Sequence, residues 1–281
     1  MRASTAAPIG FKWRSSALLA VTTGFGIVGF TWPLFAHASG SEDLAHAGDA
    51  PWLFVLLLPL LLAVLLAELS DGGLDAKAVA VLGVLVACGA ALRAPSTGVT
   101  GFTGVFFLLI PGGRVFGRGF GFVQGALTMF ASSLLIGGVG PWLPYQMLGC
   151  AWVGFGAACL PRATGRRELG LLAAYGVVAG LAYGLILNLW FWPFVTGTAD
   201  RLHFVAGDSV VANLQRFWAF NLSTSLGFDI PRAIGNGALV LFAGTPVLAA
   251  LRRAARRAAF GAPVVFAPPV AAHDVAPAAA S

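Results

Sequence analysis

Two amides stand inside apolar runs of this chain: Gln124, within Gly121-Phe122-Val123-Gln124-Gly125, and Asn188, within Leu185-Ile186-Leu187-Asn188-Leu189. An amide withdrawn from water needs a protein partner or a ligand to compensate its lost hydration. Further along, Asp229, Arg232 and Asn236 follow one another at intervals that place Arg232 and Asn236 on one helix face. Asp229 suits the N-cap of a helix and Pro231 its first turn. Arg232 then either pairs with Asp229 as a structural tie or joins Asn236 in the floor of a solute pocket. Polar and aromatic residues gather in three further stretches. Trp142, Tyr145 and Gln146 follow the turn Gly137-Gly138-Val139-Gly140-Pro141, Trp190 and Trp192 follow Asn188, and Phe217, Trp218, Asn221, Ser223 and Thr224 form the third group. Such groups bind a solute through stacking and neutral hydrogen bonds; each Trp equally suits an aromatic belt at a membrane surface.

Bond-breaking chemistry has little material. The apolar runs hold no His, and neither HExxH nor GxSxG occurs. The two lysines, Lys12 and Lys77, follow Phe11 and Ala76, so there is no phosphate loop of the GxxxxGK[ST] type. Cys88, Cys150 and Cys159 lack CxxC spacing and lie in apolar runs, where they read as small buried apolar residues. No metal, haem or other cofactor is expected.

The elements that must position these residues are membrane helices. Of 281 residues, 58% are hydrophobic and 10% charged, against roughly 25% charged in a soluble domain. From Phe102 to Leu160 the only charged side chains are Arg114 and Arg118. Apolar runs occupy about 17–36, 52–68, 76–93, 119–137, 142–161, 169–194 and 232–251, with a shorter one at 101–112. About 20 residues cross a ~30 Å hydrocarbon core. The expected fold is therefore all-α, a polytopic transmembrane helix bundle of about eight spans. The net charge of +6 is spread in short clusters beside these runs, which is a topology signal rather than a nucleic-acid surface. Arg2, Lys12 and Arg14 precede the first run, Arg114 and Arg118 follow the fourth, Arg162, Arg166 and Arg167 the sixth, and Arg252, Arg253, Arg256 and Arg257 the last. Cytoplasmic N- and C-termini in a plasma membrane place all four clusters inside, with 37–51, 138–141 and 195–228 outside; Arg93 is an exception at an outer end. The basic start, apolar run and Ala36-His37-Ala38 also resemble a cleavable signal peptide. The segment 209–228 fits an interfacial helix lying over the outer mouth. The Ala- and Pro-rich tail, 258–281, has too little pattern for a core.

Small residues recur at intervals of four at Gly113, Gly117, Gly121 and Gly125, and again at Gly83, Ala87 and Ala91. Each set forms one stripe on a helix, allowing close packing against a neighbouring helix of this chain or of a partner subunit.

The runs Gly112-Gly113-Arg114-Val115-Phe116-Gly117-Arg118-Gly119-Phe120-Gly121-Phe122-Val123-Gln124-Gly125 and Gly137-Gly138-Val139-Gly140-Pro141-Trp142-Leu143-Pro144-Tyr145-Gln146-Met147-Leu148 resemble helix junctions of the substrate-binding (S) components of energy-coupling factor vitamin transporters, particularly an actinobacterial group. The resemblance covers about 76–252 and implies a six-helix core there; the two N-terminal helices read in 1–70 are not part of that family's common core. It further implies capture of a vitamin, or a related micronutrient of cobalamin-like bulk, in outer loops at 94–100, 138–144 and 195–231. The implied partners are a scaffold membrane subunit, docked at Gly83, Ala87 and Ala91, and two ATPase subunits that supply the energy. Thr128 stands where many relatives carry an acid.

The expected function is thus a non-enzymatic, high-affinity substrate-binding membrane subunit of an ATP-driven importer. Its expected site residues are Gln124, Trp142, Tyr145, Gln146, Asn188, Trp192, Trp218, Asn221, Arg232 and Asn236. Two rivals remain. A membrane enzyme acting on lipid or polyprenyl substrates would draw on Asp229 or Glu168, and a self-sufficient secondary transporter would need buried carboxylates that the chain scarcely has.

Overall fold

A computed structural model describes residues 13–31, 34, 59–61, 63, 64, 67, 76–94, 103–140, 142–194, 202–205 and 207–258. Apart from the few positions just named, the expected run at 52–68 lies outside the described residues, as do the cleavage-like Ala36-His37-Ala38, the loop 37–51, most of the loop 94–100 and the tail beyond Ala258. Among the described residues every regular element is a helix. The helices are α1 (Trp13–Thr31), α2 (Ala76–Arg93), α3 (Val105–Phe116), α4 (Arg118–Leu135), α5 (Leu143–Cys159), α6 (Gly165–Phe191), α7 (Val210–Phe220) and α8 (Leu226–Ala258). A π-helical turn, Asn221–Ser225, joins α7 to α8.

Two helical stretches are long and apolar enough to cross a membrane, Gly165–Phe191 and the continuous run Val210–Arg257. The exterior of the bundle is also apolar: Phe242 is 87% exposed, Leu135 67% and Ile234 62%. In water, large side chains displayed this way would favour aggregation; in hydrocarbon they incur no such cost.

The shorter run expected at 101–112 forms α3, twelve residues that extend only about 18 Å. It is the central element, packed against α2, α4, α5, α6 and α8. Every residue from Val105 to Gly113 is buried, as expected of a helix that is apolar all round. Pro111 lies inside it, where a proline removes a backbone donor and bends the helix. At Gly117 the backbone turns into α4 with φ 102°, a conformation that favours glycine.

The glycine stripe of this junction is consumed within the chain. A Cβ on Gly113 or Gly121 would strike the Gly154 carbonyl, and one on Gly125 the Cys150 carbonyl, so α3, α4 and α5 meet backbone to backbone. The stripe Gly83, Ala87 and Ala91 behaves oppositely: all three are exposed on α2, and nothing lies within 4 Å of a Cβ built on Gly83. A third stripe, Gly176, Gly180 and Gly184, has the same spacing. Gly180 faces Ala233 and Gly184 faces the Asp229 carboxylate, while Gly176 borders Asn236 and Ile110; together they seat α6 against α8.

One end of the bundle gathers the arginines. Glu168, at the start of α6, accepts from Arg114 Nε at 2.9 Å and from Arg252 Nη2 at 2.7 Å. The remaining Arg114 nitrogens donate to the Leu160 and Pro161 carbonyls at 2.9 Å. At the opposite end Arg93, an oddity in the topology pattern, donates to Ser132 Oγ at 3.0 Å and so ties α2 to α4. Cys150 is buried as expected, whereas Cys88 and Cys159 are exposed on the apolar exterior.

Candidate functional site

The expected binding residues separate into three groups. The first lies at the end of the bundle remote from Glu168, where α6 runs out and α7 leads through the π turn into α8. Trp192 anchors it: the side chain is 1% exposed, its Nε1 donates to the Leu202 carbonyl at 2.7 Å, and Phe204 and Phe217 approach its ring edge to face at 5.3 and 5.5 Å. Phe220 completes this aromatic cluster. Trp192 thus pins α7 and the residues before it, termed the lid below, rather than forming the wall of an open pocket.

The lid itself is built from short-range signals. Ser209 caps α7, its hydroxyl accepting from the Ala212 N–H at 3.2 Å. Asn213 closes the preceding loop by donating to the Val205 carbonyl at 2.8 Å and accepting from the Val205 N–H at 3.1 Å. Asp208 pairs with Arg216 at 2.6 Å. The Arg216 hydrogen bond and the Ser209 N–H hold the Asp208 carboxyl below the usual carboxylate range. The expected helix over 209–228 agrees with α7 and the π turn as secondary structure alone. The expected helix start at Asp229 does not: the helical run is continuous from Val210 to Arg257, so Asp229 sits inside α8. Pro231 lies beyond the π turn, inside α8 in its second turn.

Beneath the lid lies a set of under-satisfied amides. Asn188 Nδ2 on α6, Asn221 Nδ2 at the first position of the π turn, and Gln146 Oε1 on α5 are buried atoms with no hydrogen-bond partner among the described residues. A buried amide in this condition costs about 1–3 kcal/mol unless something else meets it. Tyr145 lines the same level of α5, fully buried between Phe30 (ring centroids 5.1 Å apart) and Trp190 (4.5 Å). Trp142 and Trp218 point elsewhere. They are 42% and 50% exposed, and Trp142 Nε1 donates to the Gly138 carbonyl at 3.1 Å, as suits belt residues.

The second group is a tie between helices. Arg232 Nη1 meets Asp229 Oδ1 at 2.6 Å, and its guanidinium lies 5.5 Å from the Tyr183 ring centroid. Asn236 is fully buried and donates to the Arg232 carbonyl at 2.8 Å. Of the two roles open to Arg232 in the sequence, the geometry realises the ion pair, packed against Gly184. Gln124 stands alone as the third. Its Nε2 donates to the Leu108 carbonyl at 3.1 Å, and its side chain folds over Gly112, beside the proline in α3. Its Oε1, like the amide atoms of Asn188, Asn221 and Gln146, is buried with no hydrogen-bond partner among the described residues.

Among the described residues, no group of three His, Cys, Asp or Glu could hold a metal ion. The two acids that an enzyme would draw on, Asp229 and Glu168, are both engaged by arginines. No protein-family model, curated protein or solved structure matches this chain.

Proposed function

We propose that this chain is a non-enzymatic, multi-pass plasma-membrane subunit that binds a small, vitamin-like solute at its outer end, in the manner of an energy-coupling factor S component. The observation that carries the reading is that Gln146 on α5, Asn188 on α6 and Asn221 in the π turn each keep a buried amide atom with no partner among the described residues, the last two adjoining the aromatic cluster of Trp192 and Phe220. Neutral donors and acceptors at the edge of an aromatic cluster suit an uncharged, ring-bearing ligand. The arginine-rich end then faces the cytoplasm, with both termini on that side, and about eight spans cross the bilayer. The exposed stripe of Gly83, Ala87 and Ala91 supports docking of a scaffold subunit, since small residues uncovered within one chain allow close approach of another helix. ATP hydrolysis belongs to separate subunits in this reading.

The test is the small molecule that travels with the purified full-length chain, identified by mass spectrometry. Asn188→Leu and Asn221→Leu lower its retention by about tenfold each, the loss expected of one desolvated hydrogen bond. Gln124→Leu leaves retention unchanged. A chain that retains nothing, or three variants that behave alike, would count decisively against the reading.

A further inference from the structure

A groove of about 410 Å³ opens between α1 and α5, lined by Ser16, Leu19, Ala20 and Thr23 on one side, Trp152 and Phe155 on the other, with Arg118 beside them. It lies at the arginine-rich end, away from the amides under the lid. Its origin is a local packing choice. Near the opposite end the two helices close tightly: Leu148 fills the space a Cβ on Gly26 would need, Gly29 admits Tyr145, and Phe30 meets the Tyr145 and Trp152 rings at 5.1 and 5.7 Å. Toward Ser16 no such closure occurs, and the helices leave a gap large enough for a ligand.

The gap is graded in polarity. Ser16 and Arg118 stand at its basic end, in the first turns of α1 and α4. Leu19, Ala20 and Phe155 make the walls apolar. Thr23 and Trp152 close the far end, where Trp152 Nε1 donates to Thr23 Oγ1 at 3.2 Å. Arg118 is exposed, and among the described residues it has neither an ion pair nor a hydrogen bond. It is also the first residue of α4, where a cation opposes the helix dipole. A cation held against local electrostatics beside an apolar slot calls for an anionic group that brings its own hydrocarbon.

We propose that this groove seats an anionic phospholipid of the inner leaflet, its phosphate against Arg118 and Ser16 and one acyl chain along Leu19 and Phe155 up to Trp152. Charge complementarity selects the headgroup, and the apolar walls select a lipid over free phosphate. The site is independent of the solute under the lid but rests on the membrane reading.

The experiment is native mass spectrometry of the full chain released from nanodiscs of equal phosphatidylglycerol and phosphatidylcholine. Retained adducts are enriched in phosphatidylglycerol by about fivefold over the bulk ratio. Arg118→Gln returns the ratio to bulk, Leu19→Trp, which fills the slot, removes the retained lipid of both classes, and inorganic phosphate does not displace it. A bulk ratio in the unmodified chain, retention unchanged in both variants, or displacement by phosphate overturns the site. A chain recovered without detergent overturns the membrane reading itself, whereas one that needs detergent yet shows no lipid preference loses only the lipid site.

Discussion

Arg252 Nη2 donates to both carboxylate oxygens of Glu168 at 2.7 Å, closing α8 onto the start of α6 across 84 residues of sequence. Arg114 completes the arrangement from α3 at 2.9 Å. The Glu168 side chain is 3% exposed and that of Arg114 9%, while Arg252 is 44% exposed. The carboxylate therefore serves mainly to neutralise Arg114 in a dry setting, with Arg252 as a partly solvated second partner.

Removing one member of such a buried pair leaves the other charged and uncompensated, which costs about 3–5 kcal/mol where both are fully buried. Glu168→Gln is expected near the lower end of that range because two Arg114 nitrogens keep their carbonyl partners. Arg252→Gln costs about 1 kcal/mol or less, as its exposure predicts. Thermal unfolding in detergent, run on both variants, should rank them in that order; equal effects would mean that the cluster is not organised around Arg114.

Two glycines with similar sequence surroundings should respond in opposite ways to the same substitution. Gly154→Ala forces a methyl into the Gly121 carbonyl and must push α4 and α5 apart, an overpacking cost of about 1–3 kcal/mol. Gly83→Ala meets open space on α2 and should leave stability level or raised by about 0.5–1 kcal/mol through helix propensity. Gly83→Leu should also fold normally yet lose co-purification of a scaffold subunit, so an unaffected complex would remove α2 as the docking face.

The Asp208–Arg216 pair gives the lid a pH dependence of defined sign. Because the folded-state carboxyl titrates below its unfolded value, the contribution is present above the unfolded pKa of about 3.9 and is lost as pH falls through the folded pKa. A carboxyl-carbon NMR titration should place Asp208 below an ordinary aspartate, and Arg216→Gln should move it upward. The pair is solvent-exposed, so high salt should shrink the difference. An Asp208 resonance that titrates identically with and without Arg216 would contradict the pairing.

The positions of α2, α4, α5 and α6 were readable from the chain to within a few residues, since an apolar run long enough to cross hydrocarbon admits little besides a helix. That 209–228 is helical was readable too, although the structure runs it without a break into α8. The central place of α3 was not, because a short run that is apolar all round reports burial without naming its neighbours.

The candidate site divides the same way. Composition and spacing alone determined that the chain is helical and apolar, that its arginines cluster beside the runs, and that amides and aromatics fall together along the sequence. Only the tertiary structure decided what each amide meets: Gln124 donates to the Leu108 carbonyl, while Gln124 Oε1, Asn188 Nδ2, Asn221 Nδ2 and Gln146 Oε1 are buried without a partner among the described residues. It likewise decided which small-residue stripe is covered and which exposed, and that Glu168 meets Arg114 and Arg252. The reason is physical: periodicity along a helix says which residues share a face, but satisfaction and coverage depend on atoms supplied by other helices, tens of residues away.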